Sequence, residues 1–413
     1  MKQSRVWAEI DLDRITHNLD VVRAHAGPGR RIMAIVKANA YGHGAVPVAW
    51  HLASQGVHAV GVGDSQEAIE LRLAGLSIPI LVLGAVIHGE LPDVVAHDIA
   101  VTVHSAERVR MLDREARRAM RPVAVHLKVD TGMGRLGCRP ESAPELIELI
   151  HASEHLRLEG LCTHFSSAGR EGDDFTRLQI ERFEAVTDQI RSAGWPVPAR
   201  HAEASAAILG GVAGNFDFVR PGIALFGLSP RPGTGHELKP ALTLKSQIIF
   251  LKDFEAGAPI GYGRTHITSH RTRIATLPVG YNDGYAFRLG GRADVLVRGV
   301  RAPVVGRVSM DYLTIDVGHV PGASVGDEAV LMGSQGTECV TAEELADKSG
   351  TIPYEVLTRL GKRVVRVYRG GGKPAGAPSP EQTASGSAAS RSADRGFSVI
   401  RRPTLPDAPK TGR

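Results

Sequence analysis

Between residues 31 and 222 the chain repeats one rhythm: a short aliphatic run, a polar or glycine turn, then a stretch with helical spacing. The runs Ile32–Val36, Val57–Val62, Pro79–Leu83, Ile99–Val103, Val123–Val129, Leu158–Thr163, Pro198–Ala202 and Phe216–Val219 predict eight strands. Ile32–Val36 is apolar without a break, as a strand covered on both faces should be. Helical spacing is clear in EAIELRLAG, SAERVRMLDREARRAM and FTRLQIERFEAVTDQIRSAG. Asp64-Ser65-Gln66-Glu67 predicts the first of these to start in the manner of a capping box, and Gly75 ends it. Strands alternating with helices predict an α/β fold with a parallel sheet, and the count of eight favours an N-terminal (β/α)8 TIM barrel over an open doubly wound sheet.

After residue 236 the pattern changes. RTRIATLPV, ADVLVRGVRAPVVGRVSMDYLTIDV and DEAVLM alternate apolar with polar positions and are punctuated by Gly and Pro, which predicts antiparallel strands. One helical pattern interrupts them at 341–349. The expected organisation is a barrel over 8–236, a mostly antiparallel C-terminal β domain over 237–370, and GLSPRPGTGHELKP as the connection.

Composition narrows the class. With 43% hydrophobic and 23% charged residues the chain reads as soluble and globular, and no apolar run is long enough to span a bilayer. The start shows no apolar core of a secretory signal. Cys138, Cys162 and Cys339 form no CxxC pair, which argues against a disulfide framework and a zinc site and for a cytoplasmic address. The net charge of +5 suggests nucleic acid only until it is located. Residues 371–413 hold seven basic and three acidic side chains, so +4 sits there and +1 on the first 370 residues. That segment, with its GGKPAGAPSPEQTASGSAAS, is poor in large apolar residues and reads as a disordered basic tail. A solvated appendage accounts for it better than a site for an acidic partner, and neither nucleic acid nor membrane is expected to bind.

Candidate chemistry gathers where a barrel keeps its active sites, at the C-terminal ends of the strands. Lys37 follows the first strand, Lys128 and Arg135 the fifth, His164 the sixth, Ser205 the seventh, and Arg220-Pro221-Gly222 the eighth. Singly, each has a plain explanation. A strand-end lysine reaches for water, a rim histidine bonds to backbone, and an arginine before Pro-Gly sits in a turn. Together on one face they suit one task. A deprotonated lysine condenses with an aldehyde, cations such as Arg135 and Arg220 favour its deprotonation, and Ser205 with the Gly222–Ile223 backbone can cradle a phosphate. An aldehyde at one end and a phosphate at the other describe pyridoxal 5'-phosphate.

VKANAYGHG around Lys37 resembles the cofactor-lysine motif of bacterial alanine racemases. HLKVDTGMGRLG, THFSSA, HAEASAA, RPGIALFG, GYGRT, VGYNDG, GRVSMD and PYEVLTRL resemble that family too, in its usual order, from about residue 5 to 369. The resemblance implies a barrel followed by a β domain that also takes in the first strand, here within residues 1–12. It implies a homodimer whose active sites are completed across the interface, and alanine as substrate. It implies interconversion of L- and D-alanine by two-base proton transfer on the imine of pyridoxal 5'-phosphate, supplying D-alanine for peptidoglycan. A broad-specificity racemase of the same fold is the alternative.

Roles follow from the same resemblance. Lys37 acts as base on the D-isomer, and Tyr262 of a second copy acts on the L-isomer. Taken alone, Gly-Tyr-Gly is a flexible turn, and a phenol of ordinary pKa near 10 needs help to act as a base; His164 backed by Arg220 is the family's arrangement. Arg220 donates to the pyridine nitrogen and keeps it neutral, because an arginine does not yield its proton. Arg135 contacts the cofactor's phenolic oxygen and the substrate carboxylate, the backbone N–H of Met310 from a second copy also binds that carboxylate, and Asp311 joins the catalytic set. Tyr41, Ser205, Gly222, Ile223 and Tyr354 hold the phosphate, and Lys128 is a candidate for carbamylation that would position Arg135. Ala204, Phe226 and Ser309 depart from the residues common at those positions, which are Asn, Tyr and Cys. No metal is implied.

Overall fold

In the computed structural model, which describes residues 4–168, 170, 174–212, 214–230 and 233–371, eight parallel strands close on themselves. After strand β1 (Val6–Asp11) they run β2 (Arg31–Ile35), β3 (Ala59–Val62), β4 (Ile80–Val82), β5 (Ala100–Val103), β6 (Val123–Lys128), β7 (Leu156–Cys162), β8 (Ala199–Ala204) and β9 (Phe218–Arg220). Closure comes from β9 pairing back to β2, with Arg31 opposite Phe218 and Ile32 opposite Val219. The near-continuous apolar runs are explained by cover on both sides, with side chains filling the barrel inside and helices packed outside. All eight expected strands are present. Those expected from Val57 and Phe216 begin two residues later, because the Val57 and Phe216 N–H groups close turns onto Leu52 and Gly214.

Helix Ser65–Leu73 starts where the sequence places it, with the Asp64 side chain accepting the Glu67 N–H at 2.9 Å. The reciprocal half of a capping box is not made. Glu67 instead turns its carboxylate towards Gly63, Ala38 and Asn39.

Beyond the barrel the strands are mostly antiparallel. In spatial order they are Phe250–Phe254, Thr272–Leu277, Leu313–Asp316, Val300–Val305, Asp294–Val297, Glu328–Gln335, Leu242–Gln247, β1 and Val365–Arg369. The chain's first strand therefore lies in the β sheet, antiparallel to Leu242–Gln247 and parallel to Val365–Arg369. The helix expected at 341–349 is Ala342–Ser349, capped by Thr341. Apart from Gly371, the basic tail lies outside the described residues. No helix among the described residues is long and apolar enough to cross a membrane.

Candidate active site

Strand β2 carries an aliphatic run up to Val36, and the next residue is Lys37. There the chain does something unusual for L-residues. Ala38, Asn39, Ala40 and Tyr41 all take positive φ, between 52° and 54°, so a left-handed turn follows the lysine. Such a turn costs on the order of 1–2 kcal/mol per residue. Backbone strain of this kind persists only where its surroundings impose it.

The surroundings here are tertiary. At Gly42, φ is +83° and a Cβ would strike the Leu357 carbonyl; at Gly44, one would strike the Tyr368 hydroxyl. Arg366 Nε donates to Gly42 O at 3.1 Å and the Tyr368 hydroxyl to His43 O at 3.0 Å. The Tyr-Gly-His-Gly segment is thus the joint at which the barrel docks on the β domain, and its glycines allow the close approach.

Lys37 faces a cavity of about 400 Å³ at the C-terminal mouth of the barrel, within the range usual for small-molecule sites. Lys37, Tyr41, Lys128, Arg135, His164, Ser205, Arg220, Gly222, Ile223 and Tyr354, all singled out in the sequence, line it. Four are cations, and no carboxylate is among the lining residues. Lys37 is open to solvent on one side and crowded by barrel residues on the other. Partial desolvation and then the Arg135 charge lower its ammonium pKa, Glu67 opposes them, and Arg220 adds to the lowering. Lys128 is lowered too, first by burial, and its Nζ donates to Leu83 O at 3.3 Å.

Arg220 is buried and is the hub of the floor. Nη1 donates to His201 Nδ1 at 2.7 Å and His201 O at 2.6 Å. Nη2 donates to Thr163 O at 2.7 Å, Ala202 O at 2.9 Å and His164 Nδ1 at 3.3 Å. Only the Nε–H has no partner among the described residues, so one donor is left over for a ligand. Burial, then the charges of Arg220, Arg135, Lys128 and Lys37, push His164 down to about 3, so it is a neutral imidazole. Because its Nδ1 accepts from Arg220, its proton sits on Nε2.

A second chain of neutral rings lies behind. His201 accepts from Arg220 at Nδ1 and so donates from Nε2 to His126 Nδ1 at 2.7 Å. Burial first, then Arg220, pushes His126 down to about 4 and His201 well below its ordinary value. Neither histidine was singled out in the sequence. The one signal in the sequence is that each opens a motif of the family within a strand, His126 in HLKVDTGMGRLG and His201 in HAEASAA.

At the other end of the cavity, Ser205 opens the short helix Ser205–Leu209 and its Oγ accepts the N–H groups of Gly222 at 3.0 Å and Ala224 at 3.3 Å. A Cβ on Gly222 would run into the Tyr41 hydroxyl, so glycine is what brings the backbone to that oxygen. The Tyr41 and Tyr354 rings sit 6.1 Å apart, and burial pushes the Tyr354 phenol up to about 12, keeping it a protonated donor. Hydroxyl donors, an amine and an arginine with a spare N–H form a donor set that fits pyridoxal 5'-phosphate. Ala204 lines the same wall with only its methyl group and backbone to offer, while Phe226 packs on Tyr41 and His43 behind the cavity.

Tyr262, Met310 and Asp311 are not brought to this cavity within the chain. Tyr262 is 73% exposed and Met310 52% exposed, both on turns of the β domain. Ser309 Oγ donates to Tyr312 O at 2.8 Å and accepts its N–H at 3.0 Å, closing the turn that presents Met310. The Met310 N–H has no partner among the described residues. Asp311 accepts from Arg363 Nη1 at 2.7 Å, and Arg363 also holds the buried Asp283.

Profiles described as "Alanine racemase, N-terminal domain" and "Alanine racemase, C-terminal domain" match residues 10–230 and 241–368. The chain belongs to the alanine racemase family. It is 42% identical over 365 residues to the alanine racemase of Halothermothrix orenii, covering 88% of this chain and 96% of that protein. With that of Symbiobacterium thermophilum it shares 44% identity over 366 residues, 88% of this chain and 97% of the other. Among solved structures, alanine racemase from D-cycloserine producing Streptomyces lavendulae superposes with a TM-score of 0.85 at 37% identity, over 90% of this chain and 98% of that one. The Clostridium difficile 630 alanine racemase in complex with cycloserine gives 0.83 at 35% identity, over 89% and 96%. Membership in this family makes the chain an amino-acid racemase, an isomerase.

Proposed function

We propose that the chain interconverts L- and D-alanine with pyridoxal 5'-phosphate held in the barrel mouth, and that the D-alanine serves peptidoglycan. The observation that carries this reading is a cavity with four cations and no carboxylate, which has Lys37 on a strained turn at one end and Ser205 and Gly222 at the other. Such a site suits a ligand that is anionic at both ends and electrophilic between them. When bound, the cofactor supplies an electron-withdrawing ring that acidifies the substrate Cα–H.

The chain's own groups then divide the work. Lys37 would bind the cofactor aldehyde and serve as base towards the D-isomer. Arg220 would hold the ring nitrogen through its spare Nε–H and, being unable to give up that proton, would keep the nitrogen neutral. Tyr41, Ser205, Gly222, Ile223 and Tyr354 hold the phosphate. Arg135 takes the substrate carboxylate, and a carbamate on Lys128 would orient Arg135. That the surrounding cations leave Lys128 short of an anionic partner supports this last assignment.

Tyr262, from a second copy of the chain, is the base towards the L-isomer, with the Nε2–H of His164 stabilising its phenolate. The exposure of Tyr262 and the unpaired Met310 N–H support a homodimer in which each β domain completes the other barrel. Asp311 with Arg363 steadies the Met310 turn. A division into barrel 8–236 and β domain 237–370 with 1–12 goes with this reading, and three free, scattered cysteines support a reducing cytoplasmic address.

A chiral amino-acid panel tests it. Purified protein loaded with pyridoxal 5'-phosphate should bring L- and D-alanine to an equilibrium ratio near one, and Lys37→Ala should abolish both the turnover and the covalent cofactor absorbance. Inversion of many amino acids at comparable rates would favour the broader racemase. No inversion of any, or release of carbon dioxide, would sink the proposal.

A further inference from the structure

Glu67 stands beside the cavity without lining it. One carboxylate oxygen accepts the N–H groups of Ala38 at 2.5 Å and Asn39 at 3.3 Å, the first two after Lys37. The other accepts the Gly63 N–H at 2.8 Å, at the end of the neighbouring barrel strand. The carboxylate is itself held firmly, because Glu67 lies in the first turn of helix Ser65–Leu73 and its own N–H is taken by the Asp64 cap.

These contacts answer a question the fold leaves open. A left-handed turn of four L-residues is strained even with its internal bonds, Ala40 N–H to Val36 O at 2.7 Å and Gly42 N–H to Ala38 O at 3.0 Å, and Ala38 and Ala40 have no side chains with which to hold themselves there. The Gly42–Gly44 joint fixes the far end of the turn. Only Glu67, among the described residues, holds the amide groups at its near end, through charge-assisted hydrogen bonds of the stronger kind. Its negative charge also acts on the lysine ammonium, against the lowering caused by partial burial, Arg135 and Arg220.

We propose that Glu67 is the positioning residue of the reactive lysine: its carboxylate clamps the left-handed turn that aims Lys37 and keeps a negative charge beside that amine. The proposal rests on reading Lys37 as the cofactor lysine. Glu67 does not line the cavity and acts through residues 37–39.

Capture of pyridoxal 5'-phosphate by the cofactor-free full chain provides the test. The free amine condenses with the aldehyde, forming a C=N bond and releasing one water, so the pH midpoint of the capture rate reports ionisation of Lys37. In Glu67→Gln the charge that retains the proton is gone, and the midpoint should move to lower pH. In Glu67→Ala the clamp is lost as well, and the high-pH plateau should fall at least roughly tenfold, the equivalent of about 1.4 kcal/mol in barrier. A residue that merely capped its helix would lower the thermal midpoint without moving the pH midpoint. An unmoved pH midpoint in Glu67→Gln, or an unchanged plateau in a folded Glu67→Ala, overturns the proposal. Covalent capture that survives in Lys37→Ala would instead sink the reading of Lys37, and this inference with it.

Discussion

Arg220 points an Nη2–H at Nδ1 of His164 across 3.3 Å, and that direction decides which imidazole nitrogen keeps its proton. The same arginine sets the direction of the His201–His126 pair. A guanidinium that cannot deprotonate thus orders three neutral rings, one facing the cavity and a pair leading away from it.

Arg220→Lys is expected to be far from conservative. An ammonium has three N–H groups in place of the four that the planar guanidinium shares among five acceptors, so at least one acceptor loses its donor in a buried site. Such a loss costs about 1–3 kcal/mol. Chemical denaturation of the cofactor-free protein should show a loss of at least about 1 kcal/mol.

Stability should also fall on mild acidification. His43 and His126 are pushed down to about 4 and His164 to about 3, while His201 lies well below its ordinary value, in every case first by burial. Between those values and about 6.5 the unfolded chain binds protons that the folded chain refuses, so stability rises with pH in that window and is lost as pH falls through it. Each such group contributes up to about 1.4 kcal/mol per pH unit. Thermal unfolding at pH 7.5, 6.5 and 5.5 should therefore give a steep drop between the last two and little change between the first two.

Under the proposed roles, Tyr262→Phe separates the two bases. Racemisation in both directions should fall by roughly 10²–10⁴-fold, because inversion needs both. Exchange of the Cα–H of D-alanine with solvent deuterium, which needs Lys37 alone, should persist without inversion. Mass spectrometry of each enantiomer after incubation in deuterium oxide distinguishes the cases. Equal loss of exchange in both isomers would count against separate roles.

Gly42→Ala probes the joint behind the lysine. Gly350 is left-handed too, at φ +70°, but a Cβ there would meet only Arg288 Nη1 at an ordinary 3.5 Å, whereas at Gly42 a Cβ would meet the Leu357 carbonyl. Gly350→Ala should therefore cost only the backbone term, about 1–2 kcal/mol. Gly42→Ala should cost clearly more and should also slow covalent capture of pyridoxal 5'-phosphate, measured side by side with the Gly350 variant.

Much of this was readable before any coordinates. Strands buried on both faces leave aliphatic runs, and a polar residue ending such a run stands out, so Lys37, Lys128 and Arg220 were visible as departures from a pattern. The left-handed turn was not, because only Asn39 in Ala-Asn-Ala-Tyr readily takes positive φ; contacts with Glu67 and with residues 357–368, more than three hundred positions away, impose it. Glu67 looked like half of a capping box because its spacing from Asp64 is right for one, and only tertiary structure supplied the competing donors. His126 and His201 were hidden differently. A histidine within a strand carries no mark of the partner it meets, and these two are 75 positions apart.

The joint at Gly42–Gly44 has a consequence for how such enzymes can be recombined. A barrel spliced to a foreign β domain would keep its lysine in the sequence yet lose the seat that sets the aim of that lysine. Chimaeras within the family should inherit reactivity only when Leu357, Arg366 and Tyr368, or residues of equal shape and bonding, travel with the motif they hold.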